Sequence, residues 1–242
     1  MDLLSIDTII ALFTLTILEI VLGIDNIIFI SIVSNKLPEA ERAKTRNIGL
    51  VLALVFRIAM LFGITWVMGL TASLIDFHVF EVHVHFSGRD LILLVGGLFL
   101  IAKSTAEIHH KMEGDTEEEQ KNKAVVSISK TILQIIALDI IFSFDSILTA
   151  VGLTQDVGIM ITAVIISMGI MMIFAGKISK FINDRPTLQI LALSFLILIG
   201  FMLLLESFHV EVPKGYIYFA VCYALIVEVI NMRMKKRKKK VK

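Results

Sequence analysis

Apolar runs of about 20 residues recur from one end of this chain to the other. Each is long enough to cross a hydrocarbon core of about 30 Å. In lipid, only helices and closed barrels satisfy every backbone N–H and C=O. The runs are too long and too continuously apolar for barrel strands, which alternate in polarity. The pattern predicts an all-α polytopic membrane protein with seven transmembrane helices, near residues 8–33, 47–71, 90–106, 127–151, 157–181, 187–205 and 215–231. Composition agrees, since 57% of the 242 residues are hydrophobic, against roughly 45–50% in a soluble domain.

The first segment, MDLLSIDTII, carries Asp2 and Asp7 where a cleavable signal would carry Lys or Arg, so the first span is expected to stay in the mature protein. Cys222 is the single cysteine, which excludes a disulfide within the chain and disfavours a cysteine metal site. All of the 23 Lys and Arg except Arg57, Arg89 and Lys214 fall on one side of the seven spans. The positive-inside rule then predicts the N-terminus outside and the C-terminus in the cytoplasm. The stretch at 107–126, with EGDTEEEQKNK at its centre, reads as a solvated acidic cytoplasmic loop, with a docking site for a cytoplasmic partner as the lesser reading. The basic tail at 232–242 reads as an anchor to anionic lipid. Nucleic acid is a poor reading for a basic run beside a membrane span.

Shifting the chain by 120 residues exposes a repeat. Leu18-Glu19-Ile20 falls on Leu138-Asp139-Ile140, and Ile24-Asp25-Asn26-Ile27 falls on Phe144-Asp145-Ser146-Ile147. Gly23 falls on Ser143, and weaker echoes set Arg89-Asp90 against Arg185-Pro186 and Glu107 against Glu206. The expected organisation is one transmembrane domain. It comprises a three-helix repeat at about 8–106, the loop at 107–126, a second repeat at about 127–205, a seventh helix at about 215–231 and the tail at 232–242. Span 1 runs outward to inward and span 4 the reverse, so the halves are expected to be inverted, a common build of secondary transporters with the site near the midplane.

An ionised carboxylate in mid-membrane costs roughly 2.5–3.5 kcal/mol on the insertion scale. A cation, protonation, water or Arg57 must offset Glu19, Asp25, Asp139 and Asp145. On a regular helix Glu19 and Asn26, seven apart, share a face with Gly23 and Thr16 between and beside them. Asp139, Ser143 and Ser146 make the matching face in span 4. Residues six apart point about 120° apart, so Asp25 and Asp145 join those faces only where the helix unwinds. A break or distortion near Gly23 is therefore expected. Carboxylate, amide and hydroxyl oxygens suit a hard divalent cation such as Mn²⁺, Mg²⁺ or Ca²⁺. The bland alternative is that these groups only join helices, as Ser and Asn often do. It is weaker for carboxylates, which are costly in lipid.

The chain resembles the TerC family of bacterial membrane proteins. The resemblance rests on LEIVLGIDNIIFISIVSNKLP, SGRDLILLVGGLFLIAKSTAEIH, LDIIFSFDSILTAVGLT, RPTLQILALSFLILIG and VPKGYIYFA, and covers about residues 8 to 231. It implies a seven-helix protein of the bacterial inner membrane, grouped with lysine-exporter-type transporters. It also implies export of divalent cations, above all Mn²⁺, and for some members a link to tellurite resistance. The family's acidic residues fall here on Glu19, Asp25, Asp139 and Asp145. Some relatives append cytoplasmic regulatory domains, and this chain is expected to lack them in cis.

The resulting expectation is a secondary transporter that exports Mn²⁺ or a related divalent cation. Glu19, Asp25, Asp139 and Asp145 would hold the ion, Asn26 would assist, and Gly23, Ser143, Ser146 and Arg57 would serve secondary or gating roles. Protons are expected to exchange on the same carboxylates, since no P-loop offers ATP as the energy source. The alternative is a non-transporting membrane scaffold or partner subunit in a metal or tellurite stress complex. No HExxH motif or nucleophile-base arrangement suggests an enzyme, and no resident cofactor is expected. Three outlying groups are weighed as metal-collecting sites: His83 and His85 with Glu81, His109 and His110 with Glu107, and His209 with Glu211. Surface or interfacial roles explain each as well. Met160, Met168, Met171 and Met172 read as lipid-facing or packing residues rather than soft-metal ligands.

Overall fold

The computed structural model describes residues 6–71, 73–79, 82–113, 127–210 and 212–240, apart from the side chains of 24, 25, 65, 73–79, 82–85, 214 and 235–240. Its elements are α1 (Ile6–Ser34), α2 (Glu39–Phe62), α3 (Ile64–Gly69), β1 (Ser73–Val79), β2 (Val82–Ser87), α4 (Gly88–Glu113), α5 (Ile128–Leu153), α6 (Val157–Asn183), α7 (Pro186–Ser207) and α8 (Lys214–Lys240). Seven of these helices are long and apolar enough to cross a membrane, and the protein is a polytopic helical membrane protein.

The helices outrun their apolar centres, because a helix does not stop where lipid stops. α2 starts at Glu39, eight residues before the apolar run, with Glu39 and Glu41 in a first turn that favours negative charge. It ends on Gly63, whose N–H bonds Ala59 O at 3.0 Å. The second span expected at 47–71 is therefore two helices, α2 and the short α3. α4 continues past 106 to Glu113, and α8 carries on through the basic tail. The connection between α3 and α4 is an antiparallel β-hairpin, with His78 opposite His83 and Asp76 opposite His85.

Capping marks the helix starts. Ser87 and Asp90 form a reciprocal box before α4: Asp90 N donates to Ser87 Oγ at 3.2 Å, and Ser87 N donates to Asp90 Oδ2 at 2.9 Å. Asp156 accepts from Gly158 N at 2.8 Å and from Ile159 N at 3.3 Å, which starts α6 right after α5. Asp156→Ala is expected to cost about 1 kcal/mol, read as a lowered midpoint in thermal unfolding of the detergent-solubilised protein.

α1 packs against α6, α2 against α5 and α4 against α7, while α8 touches mainly α7. The α4–α7 pair is the closest. A Cβ on Gly97 would stand 2.6 Å from Gly200 O, and one on Gly200 would stand 2.9 Å from Gly97 O. Small residues permit such backbone contact between membrane helices. One apolar cluster joins α1, α2, α5 and α6, and a second joins α1, α4, α5 and α7. Phe13, Val55, Phe56, Ile173, Phe174 and Phe201 stay exposed on the outside, as lipid-facing residues should.

Candidate cation site

Glu19 is near the middle of α1 and Asp139 near the middle of α5. At 1.5 Å per residue both lie about 15–20 Å or more from their helix ends. Both are buried, as are Asn26, Arg57, Ser143 and Ser146. The side chain of Arg57, 2% exposed, enters this space from α2. Its Nη1 donates to Glu19 Oε2 at 2.5 Å, its Nη2 to Asp139 Oδ1 at 3.1 Å and its Nε to Ser143 Oγ at 2.7 Å. Ser143 Oγ donates in turn to Asp139 Oδ2 at 3.1 Å, and Asn26 Nδ2 donates to Asp139 Oδ1 at 3.3 Å. Ser146 Oγ turns back to Ser143 O at 3.2 Å.

Helical spacing explains the assembly. Glu19 and Asn26 lie on one face of α1, while Asp139, Ser143 and Ser146 line one face of α5. The guanidinium of α2 spans the gap between them. One arginine faces two carboxylates, so a negative charge is left over when both are ionised. Asn26 Oδ1 and Thr16 Oγ1 are buried here with no hydrogen-bond partner, and an orphaned buried acceptor is costly. A cavity of about 10 Å³ beside Glu19, walled by Leu15, Leu61, Met160 and Val164, is at the lower limit for one water. No three His, Cys, Asp or Glu side chains converge on one point among the described residues. A cation at Glu19 and Asp139 would need Arg57 to withdraw. The carboxylate, amide and hydroxyl oxygens left behind fit a hard divalent ion.

Asp145 lies elsewhere, about 9 Å along α5 from Asp139 at helical rise. Arg89 Nη2, at the start of α4, donates to Asp145 Oδ1 at 3.4 Å and also to Glu206 Oε1 of α7. Asp145 lines a cavity of about 40 Å³ with Leu22, Phe142, Met202 and Ile217. At the far end of α4, Lys36 Nζ pairs with Glu107 Oε2 at 2.6 Å. Neither of these pairs is legible in the sequence. Only the echoes of Arg89 with Arg185 and of Glu107 with Glu206 hint at them.

Several expectations are corrected. α1 is one unbroken α-helix through Gly23, so there is no break there. Gly23 instead seats α6, since a Cβ would stand 2.2 Å from Met171 Sδ. Of the two readings weighed for them, packing is the one that Met160, Met168 and Met171 take, since all three are buried. The Asp25 side chain lies outside the described residues. His109 and His110 are exposed, with His109 Nε2 3.4 Å from Glu113 Oε2, while Glu107 is buried on Lys36. His209, at φ 60°, places Nε2 3.4 Å from Asp90 Oδ2. Glu81, Glu211 and the centre of the acidic loop at 114–126 lie outside the described residues, as do the side chains of His83 and His85.

The description "Integral membrane protein TerC family" matches residues 4–242. The chain belongs to the TerC family. It is 53% identical over 227 residues to the UPF0053 inner membrane protein YgdQ of Escherichia coli (strain K12), covering 94% of this chain and 93% of that one. It is 49% identical over 227 residues to a UPF0053 protein of Haemophilus influenzae, covering 94% of each. Inner membrane protein YoaE of Escherichia coli (strain K12) is 43% identical over 220 residues, and there the match covers 42% of the longer relative. No solved structure matches. The buried arginine-carboxylate centre described above is thus a feature of a TerC-family membrane protein.

Proposed function

We propose that this chain is a secondary transporter that moves a divalent cation, with Mn²⁺ favoured, out of the cytoplasm. The observation that carries this reading is the buried Arg57 bridging buried Glu19 and Asp139, three charges from three different helices. A guanidinium between two buried carboxylates occupies the place a metal ion would take. It offsets their charge while the site is empty of substrate and gives way to an ion of higher charge. Protons released from or taken up by the same carboxylates would couple the cycle to the proton gradient. The pairing of α1 with α6, α2 with α5 and α4 with α7 is the pattern that two exchanged three-helix units would give, and it supports the inverted repeat. The name of YgdQ supports an inner-membrane location, and the charge distribution supports the N-terminus outside.

The test is uptake of Mn²⁺, Mg²⁺, Ca²⁺ and Zn²⁺ into liposomes holding the purified protein. Wild type is expected to carry Mn²⁺, and Glu19→Gln and Asp139→Asn to lose at least tenfold of that flux. No flux of any ion by folded protein, with or without a proton gradient, would rule out transport and leave the scaffold.

A further inference from the structure

Arg89 and Glu107 stand 18 residues apart on α4, about 27 Å along the helix axis and close to the thickness of the hydrocarbon core. Each carries an ion pair. At one end Arg89 joins α4 to Asp145 of α5 and Glu206 of α7. At the other, Lys36, just beyond α1, holds Glu107. The Glu19–Arg57–Asp139 centre lies between these levels. It is about 9 Å along α5 from Asp145 and about 22 Å along α1 from the end nearest Lys36.

Burial separates these pairs from ordinary surface ion pairs. Side chains of Arg89, Asp145 and Glu206 are 20%, 14% and 17% exposed, and Glu107 is 10% exposed against 33% for Lys36. Such partly buried pairs are held more firmly than solvated ones; Arg89 joins two carboxylates on neighbouring helices and Lys36 joins one. One has open space beside it and the other an unpartnered polar atom. The cavity lined by Asp145, the partner of Arg89, is large enough for water. Beside Glu107, one turn back on α4, the Ser104 Oγ is buried with no partner.

We propose that Arg89 on Asp145 and Glu206 is the gate at one membrane face, and Lys36 on Glu107 the gate at the other. The path opens at one face by parting one pair while the other stays closed. This rests on the transport reading above. Arg89 is a positioning residue here. It keeps Asp145 engaged, and so away from the central site, until its own end opens.

The experiment reads the gates separately from flux. In a Cys222→Ser background, Met202→Cys reports from the cavity beside Asp145 and Ser104→Cys reports from beside Glu107. A membrane-impermeant thiol reagent is applied from either side of sealed vesicles of known orientation. Both reporters are expected to label slowly in the parent. Arg89→Gln is expected to speed labelling at 202 at least tenfold from its own side and to slow labelling at 104. Glu107→Gln is expected to do the reverse, and Arg89→Lys to behave as the parent. Unchanged rates would overturn the proposal. So would rates that rise together at both reporters, which is what a loosened fold gives. Reciprocal labelling without cation flux would keep the gates and sink the transport reading. Flux without reciprocity would do the opposite.

Discussion

Arg57→Met is expected to destabilise the protein by about 3–5 kcal/mol, the usual cost of removing one partner from a buried ion pair. Methionine is unbranched and fills a similar volume, so the loss is electrostatic more than steric. Glu19 and Asp139 would be left in the interior with their donors gone, and Ser143 Oγ would lose the donor it receives from Arg57 Nε. Thermal unfolding in detergent measures the loss. Arg57→Met with Glu19→Gln and Asp139→Asn removes all three charges, and most of the stability is expected to return. A single variant as stable as wild type would mean that the carboxylates are neutral or solvated without the arginine. The triple variant separates folding from function, since it is expected to fold and carry no cation.

The second large effect is at Gly97. Gly97→Ala places a methyl group against the carbonyl oxygen and backbone of α7. Backbone cannot step aside as a side chain can, so α4 and α7 must separate and their packing is lost along the pair. The expected cost is about 1–3 kcal/mol, the range for overpacking, and it should be larger for Gly97→Leu. Gly169 is the control, with nothing within 4 Å of its added Cβ. Gly169→Ala is expected to be neutral or slightly stabilising. Gly23→Ala should fall between them, because the atom it meets is the sulfur of a flexible methionine.

The seven spans were legible because membrane thickness sets a minimum apolar length. The helix ends were not, because residues 39–47 and 107–113 are polar yet helical. The Glu19, Asn26, Asp139 and Ser143 faces followed from helical spacing. Arg57 followed from charge, being a cation inside an apolar run that also had to neutralise carboxylates. Gly23 misled because its use is close packing rather than unwinding. The positions of Asp145 and Glu107 were hidden for a different reason. Their partners, Arg89 and Lys36, reach them only once α4 lies against α5 and the chain just beyond α1 comes beside α4.

The Gly97–Gly200 contact also has a mechanical meaning. It is a fulcrum, where two beams touch with no side chains between them. Along α4 the arm to Arg89 is about 12 Å and the arm to Glu107 about 15 Å, at 1.5 Å per residue. A tilt of α4 by roughly 10° about that point would swing the ends by about 2–3 Å, in opposite directions. A displacement of that size is enough to part a hydrogen-bonded ion pair at one end of the beam.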